Sequence, residues 1–363
     1  MSVARQLQRA REGLRLPLEE AADRLGVEPD RLEAWEEGRQ EPRFDELCEL
    51  AGLYLRSVDY FLEDIRPARA PLALRLAAGQ PELSREAREV LVQWEELCRS
   101  RAQLEKVLGE ERDISMPKSP GAQDPVALAQ GERRRLDLGT GPVEDLRAVL
   151  ERQGPCVFEL PFRTKEFSGA SQWHEEYGPC ILVNAREIMG RRNFTMAHEY
   201  YHLLVRGEQP HVCAVELGAE ATEERSANRF AAALLMTPKG LEPDLRAGRE
   251  RGPLRDPKDY APLARKWRVS VEALLWALKD FGLLPRQEAE RLLAEWRTPE
   301  PRFRAAKGKP RPPQWKRRLQ HLGEPYTKAA LRAHESGRIS LSKLAEYLGI
   351  DIREAREAAE APP

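Results

Sequence analysis

Residues 194–205 restrict the fold more than any other stretch, because they place two histidines four positions apart on one predicted helix. Apolar residues recur there at intervals of three and four, so His198 and His202 both project from the buried face. A buried imidazole needs a polar partner, and one divalent metal ion serves both rings. Glu199 lies about 100° around the helix and can act as a general base. The stretch therefore predicts a metal-binding catalytic helix; an ordinary helix with two hydrogen-bonded core histidines is the alternative.

A catalytic zinc site takes three protein ligands and leaves one position open for water. The segment TEERSANRFAAALLMTP, which begins at Thr222, predicts a second helix with carboxylates in its first turn and an alanine-rich packing face. Glu223 and Glu224 flank that apolar face at similar angles. Periodicity therefore narrows the third ligand to these two residues and does not choose between them.

Two apolar runs of strand length precede the histidine helix, at residues 156–162 and 180–185. The segment FSGASQWHEEYG between them is predicted to form a hairpin or an edge strand. Most of the remaining chain shows helical periodicity. The sequence therefore predicts a mostly α chain of the α+β class with one small sheet.

Three stretches rich in proline are predicted linkers, because they combine proline with glycine or charge; they are residues 66–71, 113–125 and 298–313. A chain of 363 residues is also long for a single core. Four parts are therefore predicted, and their bounds are residues 1–65, 66–139, 140–298 and 299–363.

The first part has helix-turn-helix spacing. A helix from Leu18 to Leu25 is predicted to end at Gly26, a residue that favours the left-handed backbone of a helix terminus. The next helix opens at Pro29 and points Leu32 and Trp35 inward.

Here the sequence resembles the Xre-type helix-turn-helix family, through REGLRLPLEEAADRLGV, Trp35-Glu36-Glu37-Gly38, Pro42 and ELAGLYLRSVDYFL. The resemblance implies a five-helix module whose second motif helix reads the DNA major groove. In this chain Pro17-Leu18 replaces the usual polar start, and Arg31 is the only basic residue of EPDRLEAWEE. Because DNA affinity comes chiefly from Lys and Arg, protein contact or dimerisation is the alternative function of the module.

Residues 84–108 predict one long helix, with Ser84 as N-cap and Glu86 in the first turn. Its apolar positions follow a spacing of three and four that is interrupted at Arg101. Two interpretations stay open: the helix packs on its own chain, or it forms a homodimer.

The chain shows neither an apolar core of signal-peptide length nor a window of 18 apolar residues, so we expect no membrane association. Five cysteines are widely spaced without any CxxC pair, which predicts reduced thiols. Both observations favour a cytoplasmic protein.

The central part is specifically similar to a known family: RRNFTMAHEYYHLLV followed by EERSANRFAAALLMTP resembles the ImmA/IrrE family of bacterial zinc metalloendopeptidases. That family pairs its HExxH helix with a downstream pattern Glu-x-x-x-Asn-x-x-Ala-Ala, whose glutamate is the third ligand. The resemblance thus implies Glu224 as ligand and Asn228 as an outer partner that orients the site. The segment GRISLSKLAEYLGID, at 337–351, resembles the C-terminal helices of proteins that join both modules.

The four parts are thus expected to be an Xre-type domain, a helical connector with a flexible linker, a zincin-like peptidase domain, and a basic linker with a helical C-terminal region. Zinc, or another divalent ion, on His198, His202 and Glu224 would activate a water molecule, and Glu199 would accept its proton. By resemblance, the substrate is a transcriptional repressor or an antitoxin, cut in a stress or phage response. A non-proteolytic regulator that senses a ligand, nucleic acid or partner is the alternative, and cleavage of its own linker at 113–125 is a third.

Two further roles near the site are left open by the sequence. A donor to the tetrahedral oxyanion is expected, and the candidates are His174, Tyr177 and His211, with a surface or packing role as the alternative for each. A thiolate from Cys180 or Cys213 is a candidate fourth ligand that would keep the enzyme inactive, with ordinary buried thiols as the alternative.

The two ends of the chain carry opposite charge. Residues 1–65 have a balance of −7 and residues 301–363 a balance of +7. The run at 301–318 contains eight basic residues and no acid, with Phe303 and Trp315 placed for base stacking, which favours single- or double-stranded DNA as a partner. A solvated linker, or docking onto the acidic module, is the alternative. Candidate nucleic-acid contacts are Arg31, Arg302, Arg304, Lys307, Lys309, Arg311, Lys316, Arg317 and Arg318.

Overall fold

The computed structural model describes residues 3–62, 83–110, 119, 124–206, 211–214, 221–252, 254–297 and 312–360. For residues 211–214, 221, 251 and 297 it describes the backbone alone. The predicted linker at 66–71 lies outside the described residues, as do most of 113–125 and of 298–313. In the described part the chain is mostly helical with one small sheet, which confirms the predicted α+β class. None of these helices has the length and apolar character needed to span a bilayer.

The N-terminal module consists of five helices, as predicted: α1 (Val3–Gly13), α2 (Leu18–Leu25), α3 (Pro29–Glu36), α4 (Phe44–Leu53) and α5 (Val58–Leu62). Gly26 ends α2 in the left-handed conformation, with φ of 66°. Leu32 and Trp35 of α3 are buried in the core of the module. The local signals of helix start and stop were therefore sufficient for this region.

The long helix α6 (Arg85–Leu108) begins after Ser84, whose hydroxyl accepts a hydrogen bond from the backbone N–H of Ala87. Val92 belongs to the core of the N-terminal module, whereas Trp94 and Cys98 pack into a second core on the sheet. The apolar surface of α6 is thus covered by its own chain. Of the two interpretations, packing on its own chain is the one observed.

The sheet contains β1 (Cys156–Leu160), β2 (Phe167–His174), β3 (Gly178–Asn184) and β4 (His211–Ala214), in the order β1-β3-β2-β4. β1 and β3 are parallel, and β2 is antiparallel to both β3 and β4. The predicted hairpin of β2 and β3 is confirmed. β2 is not an edge strand, however, because β4 covers its other side.

Both faces of the sheet are buried, which explains the continuous apolar runs of β1 and β3. Val157, Ile181 and Val183 point to one face, here named the front face. Cys180 and Leu182 point to the opposite, back face.

The helices divide between these two faces. On the front face lie α7 (Pro125–Arg135), α8 (Leu146–Glu151), α9 (Met189–Arg206), α10 (Ala221–Leu235), α11 (Pro238–Arg251), a 3₁₀ turn (Pro257–Tyr260), α12 (Ala261–Lys266), α13 (Val271–Asp280) and α14 (Arg286–Arg297). On the back face α6 is joined by α15 (Gln314–Leu322), α16 (Glu324–Glu335), α17 (Leu341–Leu348) and α18 (Ile352–Glu360).

The N-terminal module is held against α6 by a buried ion pair. The Arg56 side chain is only 3% exposed, and its guanidinium lies 2.6 Å from Glu95 and 3.5 Å from Glu96. A second ion pair, 2.7 Å long, joins Lys343 of α17 to Asp59 of the module. The acidic module therefore does contact the C-terminal region, and Lys343 lies outside the basic run at 301–318.

Candidate metal centre

Helices α9 and α10 bring two imidazoles and a carboxylate to one point. His198 Nε2 lies 3.1 Å from Glu224 Oε2, and His202 Nε2 lies 3.4 Å from Glu224 Oε1. The two Nε2 atoms are 3.2 Å apart. One ligand atom from each of the three residues falls within 4.8 Å of the others. The structure thus brings together the three residues expected to bind metal.

The outer ring nitrogens show why a cation fits between the inner ones. His198 Nδ1 lies 3.0 Å from the Asn228 side-chain oxygen, and His202 Nδ1 lies 3.0 Å from Glu223 Oε1. Both oxygens accept hydrogen bonds, so each Nδ1 is the protonated donor. When both rings are neutral, each Nε2 therefore carries a lone pair, and the two lone pairs face each other and the Glu224 carboxylate. Together these nitrogen and oxygen atoms form the donor set of a metal site.

Glu199 has the burial expected of a protected catalytic base. Its side chain is fully buried, and neither carboxylate oxygen has a hydrogen-bond partner among the described residues. A buried carboxylate without partners is costly. A water molecule or a substrate proton would satisfy it, which fits the role of proton acceptor.

The carboxylates around His202 favour its protonated form. Burial lowers the pKa of His202, but its hydrogen bonds to Glu223 and Glu224 outweigh burial and raise that pKa to about 9. The hydrogen bond to His202, assisted by Arg206, lowers the pKa of Glu223 to about 2. A metal ion would therefore displace a proton from His202 at neutral pH, so we expect its apparent affinity to rise with pH.

Gly169 of β2 is a residue of the site that sequence reasoning missed. A Cβ at this position would lie 2.4 Å from Thr195 Cγ2, 2.9 Å from the Leu182 carbonyl oxygen and 3.0 Å from Glu199 Oε1. The β2 backbone thus passes directly against the Glu199 carboxylate. An isolated glycine within a strand pattern was the available signal.

We expect Gly169→Ala to displace β2 from α9 and to destabilise the protein by about 1–3 kcal/mol, the usual range for overpacking. Thermal unfolding of the purified variant measures this loss. Gly52→Ala is the matched control, because a Cβ at Gly52 would meet no atom within 4 Å. Equal unfolding temperatures for both variants would contradict the close approach.

The HExxH helix is anchored to its surroundings by polar contacts on its other sides. The Tyr200 hydroxyl donates to Glu132 of α7 over 2.5 Å and accepts from Arg135 over 2.8 Å. Arg192 pairs with Glu159 of β1. These contacts fix α9 against both α7 and the sheet, so α7 forms part of the scaffold around the centre.

The predicted oxyanion donors and the thiol switch lie elsewhere. His174 stacks on Tyr177 with 3.8 Å between ring centroids, and Tyr177 and Cys180 belong to the back-face core. Because the sheet separates Tyr177 and Cys180 from α9, the oxyanion role of Tyr177 and the ligand role of Cys180 are wrong. Cys180 is the ordinary buried thiol expected as the alternative, and His174 packs on Tyr177. The side chains of His211 and Cys213 lie outside the described residues.

Some of the candidate nucleic-acid contacts are described by the structure, and others lie outside the described residues. Arg31 pairs with Glu46 over 2.5 Å and covers the Trp35 ring, so its charge is already balanced within the module. Outside the described residues lie Arg302, Phe303, Arg304, Lys307, Lys309 and Arg311.

In the basic run, only some of the described side chains face solvent. Lys316 and Arg317 are exposed. Burial lowers the pKa of Arg318, which donates to the Leu348 carbonyl oxygen over 3.4 Å. Trp315 is packed into the back-face core, so its predicted role in base stacking is wrong.

Comparison with known families agrees with this geometry. The family model of the IrrE N-terminal-like domain, which is named for peptidase family M78, matches residues 150–279. A helix-turn-helix domain model matches residues 2–59. Both resemblances found in the sequence are thereby confirmed. A search of curated proteins gives no match.

Proposed function

Because the chain joins a helix-turn-helix domain to an IrrE N-terminal-like, metallopeptidase-like domain, we propose that it is a regulatory metalloendopeptidase that cleaves a protein partner. The observation that carries the proposal is the convergence of His198, His202 and Glu224 beside the buried carboxylate of Glu199. Two imidazoles and one carboxylate form a three-ligand set of the kind that holds catalytic zinc. The same nitrogen and oxygen donors also accept other divalent ions.

In this mechanism the bound ion would polarise the scissile carbonyl and lower the pKa of the attacking water. Glu199 accepts the proton of that water on a carboxylate oxygen and then delivers it to the leaving amine nitrogen. Asn228 and Glu223 keep both imidazole rings oriented through their Nδ1 atoms. Burial of Glu199 limits the access of bulk water, which strengthens these electrostatic interactions.

The proposed substrate is a transcriptional repressor or antitoxin, cleaved in a stress or mobile-element response, and the proposed location is the cytoplasm. No disulfide joins the described cysteines Cys48, Cys98, Cys156 and Cys180, in keeping with that location. Direct reading of DNA by α3 receives less support. Its exposed side chains include Asp30 and Glu33, which repel phosphate.

New protein N-termini in producing cells test the proposal. We expect cells that make the wild-type protein to contain a cleaved regulator that is absent from cells making Glu199→Gln at equal abundance. Mass spectrometry of N-terminal peptides detects the cleaved bond, and purified protein must reproduce it. If the purified protein binds metal and yet no terminus differs between the two cultures, a non-proteolytic regulator replaces the peptidase.

A further inference from the structure

Two consecutive glutamates open α10, and the structure gives them different partners. Glu224 faces the Nε2 atoms of both histidines, whereas Glu223 lies behind His202, 3.0 Å from its Nδ1. Arg206 holds Glu223 from the other side, with Nη2 at 2.9 Å from Oε2 and a second contact from Nε to Oε1. His202, Glu223 and Arg206 are therefore linked in series, and the series runs outward from the candidate metal centre.

We infer that Glu223, braced by Arg206, is a positioning residue that fixes the tautomer and ring orientation of His202 for metal binding. The inference rests on the proposed metal centre and deepens it. Acceptance of the Nδ1 proton by Glu223 leaves the Nε2 lone pair directed at the centre.

The contact from Arg206 is needed because the Glu223 side chain is more accessible to solvent than that of His202. The Glu223 side chain is 33% exposed, while that of His202 is fully buried. An unbraced carboxylate at this exposure would exchange between His202 and water. Arg206 engages both carboxylate oxygens, a two-point contact that holds the carboxylate plane in place.

The two histidines are oriented by different chemistry. His198 donates to the neutral amide oxygen of Asn228, and His202 donates to a charged carboxylate. A carboxylate partner makes an imidazole a more basic ligand than an amide does. His202 is therefore the ligand whose metal affinity depends most strongly on its outer partner.

Zinc affinity of the full-length protein, measured by competition with a chromophoric chelator, tests the inference. We expect Glu223→Ala to weaken zinc binding about 10- to 100-fold, the usual effect of removing such an outer partner. Glu223→Gln keeps an acceptor oxygen for the Nδ1 proton but loses the carboxylate charge, so it is expected to recover part of the lost affinity. The zinc affinity of Arg206→Ala is expected to lie between those of Glu223→Ala and Glu223→Gln. The visible spectrum of bound Co²⁺ should shift in Glu223→Ala, because the geometry of the histidine ligand changes.

Glu242→Ala is the matched control, since Glu242 forms an exposed ion pair with Arg246 on α11. It should bind zinc as the wild type does. Wild-type affinity and an unchanged Co²⁺ spectrum in Glu223→Ala would overturn the inference, and so would a Gln variant as weak as the Ala variant. If Glu223→Ala does not fold, Glu223→Gln and Arg206→Ala decide by the same criteria. A wild-type protein without zinc affinity overturns the proposed function as well, so the two failures are distinguishable.

Discussion

Glu199→Gln is expected to keep its metal and to lose about 10²- to 10⁴-fold in cleavage rate, the usual contribution of a general base. Glutamine has nearly the same shape as glutamate, but it cannot accept a proton from water at neutral pH. The three candidate ligands are unchanged in this variant. Elemental analysis of the purified protein and the cleavage rate of its partner, measured on the same preparation, separate metal binding from chemistry.

His198→Ala and Glu224→Ala are the comparison for this prediction, because both remove a candidate ligand. They should lose bound metal and cleavage together. A Glu199→Gln variant that cuts at the wild-type rate would remove Glu199 from the reaction. Metal retained at full stoichiometry in both ligand variants would place the ion elsewhere in the protein.

Arg56→Ala is expected to destabilise the protein by about 3–5 kcal/mol, because it removes the buried cation that pairs with Glu95 and Glu96. Burial by itself would lower the pKa of Arg56, and the charges of Glu95 and Glu96 reverse this and raise it above the usual value. The guanidinium is therefore held in its charged form between the N-terminal module and α6. Denaturant unfolding monitored by circular dichroism measures the loss of stability.

Arg39→Ala serves as the control for Arg56→Ala. Arg39 pairs with Glu33 and Glu37, but all three side chains are more than half exposed. Surface ion pairs of this kind contribute at most about 1 kcal/mol. A similar small loss for Arg56→Ala would show that the module is not anchored by this contact. Separate unfolding of residues 3–62 in Arg56→Ala would instead show that this ion pair holds the N-terminal module to α6.

Local signals predicted the helices well. Ser84 marked the start of α6, and Gly26 marked the end of α2, because capping depends on the residues of one helix terminus. The four-residue strand β4 was missed. So short a segment carries too little periodicity, and its pairing with β2 depends on residues about forty positions away.

Proximity in sequence was a poor guide to the surroundings of the site. Tyr177 and Cys180 precede the HExxH helix closely, but they lie behind the sheet. The direction of a side chain in a strand reverses at every residue, so the face can be assigned only after the sheet has been placed. Gly169 reaches Glu199 for the same reason, through the packing of β2 on α9.

The sequence by itself determined the helix-turn-helix spacing, the histidine pair on one helical face and the restriction of the third ligand to Glu223 or Glu224. These features depend on residues that are close together in sequence, because each helix has a geometry fixed by its own backbone hydrogen bonds. The family resemblance implied Glu224 as the ligand, but only the tertiary structure shows that Glu224 faces both histidines while Glu223 lies behind His202. Both side chains leave α10 at similar angles, so the choice depends on how α10 packs across α9, which no periodicity within α10 records.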